Sequence, residues 1–143
     1  MADTFNKEDK NLEILLRDIE YLRKQLREHY ELWKSIPFEL RRPVAWIVYN
    51  PLPESLKEAI FSEKTADINY NLAKKYNILE KASIFAELVG DVLLGILPLE
   101  NFREKLGESL EIESEILEAL FQDSQELIFS PLQKSLAQLY REK

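Results

Sequence analysis

The chain has 143 residues, with no cysteine, one histidine, three glycines, and 19 Lys/Arg against 26 Asp/Glu for a net charge of −7. That is enough chain for one domain, or for one domain and an extended helix, with an apolar core of its own. It excludes a disulfide framework, thiolate metal sites, a cysteine nucleophile, any centre needing two histidines and the glycine-rich phosphate loops, and its acidity argues against binding nucleic acid.

Leucine dominates: 24 Leu and 12 Ile stand against four Val and two Thr. Leucine favours helix, the β-branched strand formers Val and Thr are scarce, and apolar residues recur at spacings of three and four, so the chain reads as all-α. The first element is a long helix from about Glu8 to Trp33. Leu12, Leu15, Ile19, Leu22, Leu26, His29 and Trp33 alternate steps of three and four. This is a heptad with Leu12, Ile19, Leu26 and Trp33 at a and Leu15, Leu22 and His29 at d. Leu16 and Tyr30 widen the stripe at e, where Arg23 does not. Arg17, Asp18, Lys24, Gln25, Arg27, Glu28 and Glu31 form the opposite face, and Arg23, Lys24 and Arg27 are expected on the outside. Such a helix is roughly 39 Å long and carries the three to four heptads that a coiled coil needs. The seven seam residues are therefore the candidate interface, either with a second chain or with the helix's own domain. A histidine on that stripe fits a core or an interface better than a catalytic base.

Residues 35–53, SIPFELRRPVAWIVYNPLP, read as an apolar, proline-rich connector that separates an N-terminal helical segment, 1–34, from a helical bundle, 54–143. Pro37, Pro43, Pro51 and Pro53 are four of the six prolines. Pro43 and Pro51 bound a short segment, either one helical turn or a strand. With Phe38, Trp46, Ile47 and Tyr49, the connector is expected to pack down or, if exposed, to form a binding patch.

The remainder reads as a compact bundle of about five short helices. Pro53 opens a helix over Glu54–Phe61. A second covers about Glu63–Tyr76. Asn77-Ile-Leu-Glu80 has the form of a capping box and opens a third to about Leu94, burying Ala82, Phe85, Ala86, Val89 and Leu93, with Gly95 as its stop. Pro98 starts a fourth, about Leu99–Leu106, closed by Gly107. A fifth covers about Glu113–Phe129. Ser130-Pro131 then reads as an N-cap and first helical residue for a last helix ending near Tyr140. Segments 54–94 and 98–140 are each hairpin-like, but their motifs do not align as a repeat.

The run from Leu52 to Tyr140 has a recurring texture: LPESLKEAIFSEKTADINYNLAKKY, then VLLGILPLENF, then LIFSPLQKSLAQLY. It resembles small acidic helical proteins of uncharacterised function found in bacteria with reduced genomes. The resemblance implies an all-helical domain and brings no site residues with it.

Catalytic and metal patterns are missing. There is no Glu-x-x-His pair for a di-iron bundle, and a serine triad would have to use His29. Glu111, Glu113, Glu115 and Glu118 lack the glycine of a calcium loop and are better explained as an acidic helix start. Lys74-Lys75 complements a helix C-terminus, and Arg41-Arg42 sits in the connector. The polar N-terminus, MADTFNKEDK, has no apolar leader segment, and the longest apolar run, Val44–Tyr49, falls far short of the roughly 20 residues that span a bilayer. No cofactor, no membrane insertion and a cytoplasmic location are expected. Acidity concentrates late, with five Lys/Arg against ten Asp/Glu in residues 98–143. The expected function is non-enzymatic: a protein–protein interaction or assembly module, self-associating as a homodimer or similar through the N-terminal helix. The alternative is a monomeric regulator that docks its acidic C-terminal bundle on a basic protein.

Overall fold

The computed structural model describes the backbone of residues 2–141 and the side chains of residues 15–141. Helix of all kinds takes in 84% of the chain, and no strand occurs among the described residues. Contacts divide the chain into two compact units, Met1–Pro51 and Leu52–Lys143. Basic and acidic residues balance in the first, so the whole net charge of −7 falls on the second.

The first unit holds α1 (Ala2–Glu28), α2 (Tyr30–Ser35) and α3 (Phe38–Tyr49). The helix expected to run unbroken to Trp33 is interrupted at His29, which leaves the helical region at φ −114°, ψ 40°. The hydrogen-bond ladder still passes through it, from His29 N–H to Gln25 C=O and from Trp33 N–H to His29 C=O, both at 2.9 Å. Ile36 is extended, as a residue before proline must be, and Pro37 starts α3. The expected single turn or strand in the connector is thus a helix of 12 residues with Pro43 inside it. Pro43 forfeits one ladder bond, to the carbonyl of Glu39. Both residues are exposed, so water can serve that carbonyl instead.

The other end of α3 is closed from α1. The Arg23 guanidinium donates to the Val48 carbonyl at 2.9 Å, and Arg23 is only 7% exposed. The expectation of an outward Arg23 is corrected accordingly: the last carbonyls of a helix lack intrahelical donors, and a cation there also meets the negative end of the dipole. Arg41 caps locally as well, donating from Nε to the Ile36 carbonyl at 2.9 Å with its guanidinium over the Trp33 ring.

In the second unit, α4 (Glu54–Phe61) and α5 (Glu63–Lys75) fall where the spacing places them, and the Ser62 hydroxyl caps α5 by accepting from Lys64 N–H at 3.1 Å. Asn77 ends α5 instead of opening the next helix. It sits at φ 57°, its N–H bonds Lys74 C=O at 3.2 Å, and Ile78 N–H reaches back to Ala73 C=O at 2.8 Å. That pair of bonds is a Schellman closure, and the buried Ile78 and Ala73 supply the apolar contact that accompanies it. A single 3₁₀ turn, Leu79–Lys81, leads into α6 (Ala82–Leu94). Gly95 stops α6 at φ 88°, as expected.

Gly107 does not stop α7 (Leu99–Leu110), which runs past it to a left-handed Glu111 at φ 52°. Its role is close approach: a Cβ on Gly107 would stand 3.1 Å from Cδ2 of Leu117 in α8 (Ser114–Ser124). Ser130 is no N-cap either. After α8 the chain stays helical through a π turn (Gln125–Phe129) and a 3₁₀ turn (Ser130–Leu132) into α9 (Gln133–Leu139). Pro131 has no N–H to give an α-helical ladder, and loosening then tightening the turn absorbs that loss. Buried Ser124 marks the onset by donating its hydroxyl to the Leu120 carbonyl at 2.8 Å, a bond that bends helices.

The apolar helix α6 forms the centre and packs on α4, α5 and α7. Phe85, Val89, Val92 and Leu93 are essentially solvent-free, as are Phe102, Leu106 and Leu120 around them. Phe102 and Phe129 meet edge to face with centroids 5.3 Å apart. Tyr140 staples the α6–α7 corner to the end of α9: its hydroxyl accepts from Leu97 N–H at 3.2 Å and lies 2.6 Å and 2.7 Å from the Val92 and Leu97 carbonyls, to one of which it donates.

Candidate interaction surfaces

The predicted seam residues differ in their burial within the chain. Ile19 and Trp33 are buried, Leu22 and Leu26 are half-buried, Leu15 is 54% exposed, and His29 is exposed at the break between α1 and α2. The side chain of Leu12 lies outside the described residues. Burial on α1 centres on Ile19 and Arg23, with Leu26 and Arg27 flanking them, so the inner face is rotated toward the e position. The rotation follows from the Arg23–Val48 bond, which the heptad pattern cannot show.

The main apolar exposure of the unit lies on α3. Val48 is fully buried, with Arg41, Val44 and Ala45 half-buried beside it. At 100° per residue, Leu40 and Ile47 stand roughly 80° and 100° round from Val48 on one flank, and Pro43 and Trp46 lie beyond them, roughly 140° and 160° round, beside Glu39 on the outer side. Leu40, Trp46 and Ile47 are 67%, 43% and 45% exposed. A helix that is apolar on both faces needs cover on both. Of the 13 large apolar side chains exposed among the described residues, eight lie between Leu15 and Ile47. The connector is therefore the exposed kind of apolar segment, and Trp46 is further fixed by an edge-to-face contact with Tyr49 at 5.1 Å. Leu40 and Pro43 were not singled out from the sequence as surface residues. The signal for them was the helical phase of residues 38–49, obscured by Pro43.

The second unit offers a different surface, an open groove of about 600 Å³ where the start of α7 meets the π turn and α9. Phe129 and Leu136 are buried in it, Leu99 and Tyr140 half-buried, and Glu100 and Glu126 stand exposed at its edge. Nothing in the heptad or capping patterns pointed to it; it exists because α8 and α9 do not share one helical phase.

Across the same unit, Lys75 and Tyr76 at the end of α5 converge on Asp123 of α8, with Nζ at 2.8 Å and the phenol donating at 2.5 Å to the same carboxylate oxygen. The Lys75 ammonium, and after it the Tyr76 hydroxyl, hold the Asp123 carboxyl below the usual carboxylate range. Lys75 is raised by its bond to Asp123, and Tyr76 is raised by burial first and by its bond to Asp123 next. This is a tie between helices, joining the end of α5 to α8. The expected acidic helix start is present, with Glu113 at the N-cap of α8 and Glu115 in its first turn, while Glu118 pairs with Arg103 and Glu111 lies 3.5 Å from Lys81, whose Nζ also donates to the Leu110 carbonyl. Among the described residues, no three His, Asp or Glu side chains converge as a metal site, and no helix is long and apolar enough to cross a membrane.

No protein-family model, curated protein or solved structure matches this chain.

Proposed function

We propose that the chain is a non-enzymatic assembly module that binds a second copy of itself through the N-terminal unit. The observation that carries this reading is the exposed apolar strip of α3, where Leu40, Ile47, Pro43 and Trp46 stand in water from the flank to the outer side of the helix, away from buried Val48. Exposed Leu15 and Leu16 on α1 add to the apolar surface of the same unit. A patch of this kind on a small unit marks an interaction site, and an isologous contact lets one copy's face cover the other's. The alternative, a monomer that docks its acidic second unit on a basic protein, is favoured by the confinement of the whole net charge to that unit.

Sedimentation equilibrium tests the proposal. The wild-type chain is expected at a multiple of 16.9 kDa, and Leu40→Glu with Ile47→Glu at the monomer mass with unchanged helical circular dichroism. A wild-type chain that stays at 16.9 kDa at its highest soluble concentration sinks the proposal, as does a double variant that assembles undiminished.

A further inference from the structure

We propose that the groove of the second unit takes a lysine- or arginine-bearing amphipathic helix of a partner protein, with one bulky apolar side chain seated on Leu99, Phe129 and Leu136 between Glu100 and Glu126. Three observations carry it. First, the floor is apolar and about 600 Å³ in volume, within the range of sites that enclose large side chains. Second, the lining contains two carboxylates and no lysine or arginine, and among the described residues neither Glu100 nor Glu126 has an ion pair or hydrogen bond. Their charge is unanswered among the described residues, in the unit that holds all of the net negative charge. Third, the groove sits at a π turn, whose Gln125, Glu126 and Phe129 line it together with Gln133, Leu136 and Ala137 of α9.

The occupant is a helix because the described residues present no strand edge for an extended peptide to join, which leaves the helix-in-groove mode. It is a foreign helix because the exposed face of α3, the obvious donor in a second copy, carries Glu39 as well as Arg42 and so brings no net charge. Cationic side chains flanking an apolar anchor would meet Glu100 and Glu126 while the anchor displaces water from the floor. The inference stands apart from self-association, since it concerns the other unit.

The test uses the full-length, ¹⁵N-labelled chain and three synthetic peptides of equal length: an amphipathic Leu/Lys helix, the same composition shuffled to destroy the helical stripe, and a Leu/Glu helix. The Leu/Lys peptide is expected to shift the amide signals of Leu99, Phe129, Leu136 and Ala137, and the other two are not. Glu100→Gln with Glu126→Gln is expected to weaken binding about fivefold, the scale of two exposed ion pairs. Ala137→Trp, at an exposed lining position, is expected to abolish binding by filling the groove while leaving charge unchanged. Should that variant not fold, the Glu→Gln pair still decides. Equal binding of the shuffled peptide, shifts spread over other acidic helices, or undiminished binding by the Glu→Gln pair overturns the proposal. Concentration-dependent shifts at these residues without peptide also overturn it, in favour of a second copy as occupant.

Discussion

Two glycines inside helices differ in what surrounds them, and alanine substitution turns that difference into a measurement. Gly90 lies in the middle of α6, and a Cβ built on it meets nothing within 4 Å. Replacing a helix-interior glycine with alanine lowers the backbone entropy lost on folding and is worth about 0.8 kcal/mol where no clash follows. For a chain of this size, that raises the melting temperature by roughly 3 °C. At Gly107 the propensity gain is the same, but the new methyl would stand 3.1 Å from Leu117 Cδ2. Leu117 is half-buried, so its end can turn aside, and an off-rotamer side chain costs about 1 kcal/mol. The two terms nearly cancel, and Gly107→Ala is expected to be close to neutral. Thermal melts followed by circular dichroism, backed by urea titration, compare both variants with the wild type. A neutral or destabilised Gly90→Ala would refute the reasoning and show that the open space beside α6 is occupied in solution.

Arg23→Ala strands the Val48 carbonyl and is expected to cost about 2 kcal/mol in urea unfolding, where an ordinary surface change stays within about 0.5 kcal/mol. Glu111→Gly removes the steric penalty of a left-handed non-glycine and is expected to stabilise by roughly 0.5 kcal/mol after the extra freedom glycine gains in the unfolded chain; a lower melting point contradicts the left-handed assignment. Asp123→Asn tests the Lys75–Tyr76–Asp123 tie through pH. Because the folded carboxyl is held below its unfolded value, its contribution is present above about pH 4 and is lost as pH falls through the lowered folded value. The variant's melting temperature should therefore fall less steeply than the wild type's below pH 4, and identical acid limbs would count against the tie.

Much of the second unit is legible residue by residue, because its signals are local. Pro53 opens α4, Gly95 stops α6, and the bounds of α4 and α5 follow from apolar spacing with short connections. The failures share a cause. Asn77 suits an N-cap and a left-handed helix end equally, since one short polar side chain serves both, and only the reach of Ile78 back to Ala73 decides between them. Gly107 reads as a stop, but the pressure on that position comes from Leu117 on a neighbouring helix. Pro43 and Pro131 read as boundaries, but both sit where the helix can do without one donor. Arg23 reads as surface because its acceptor lies 25 residues away in sequence. The groove was out of reach for the same reason: it depends on a change of helical phase that no single residue announces.

The π turn at Gln125–Phe129 behaves as a one-residue insertion in a helix that otherwise runs from α8 to α9. Each residue of an α-helix advances the azimuth by about 100°, so forcing these same residues into an unbroken α-helix would turn everything downstream by up to about a quarter of a revolution. Leu136 would rotate out of the core, and the Tyr140 hydroxyl would swing away from the Val92 and Leu97 carbonyls that it now ties together. The register of the last helix is thus geared to the α6–α7 corner through the widened turn between Ser124 and Ser130. The exposed side chains of Glu126 and Leu127 can be exchanged at modest cost, whereas the widened turn and the buried Ile128 and Phe129 are fixed features of the fold.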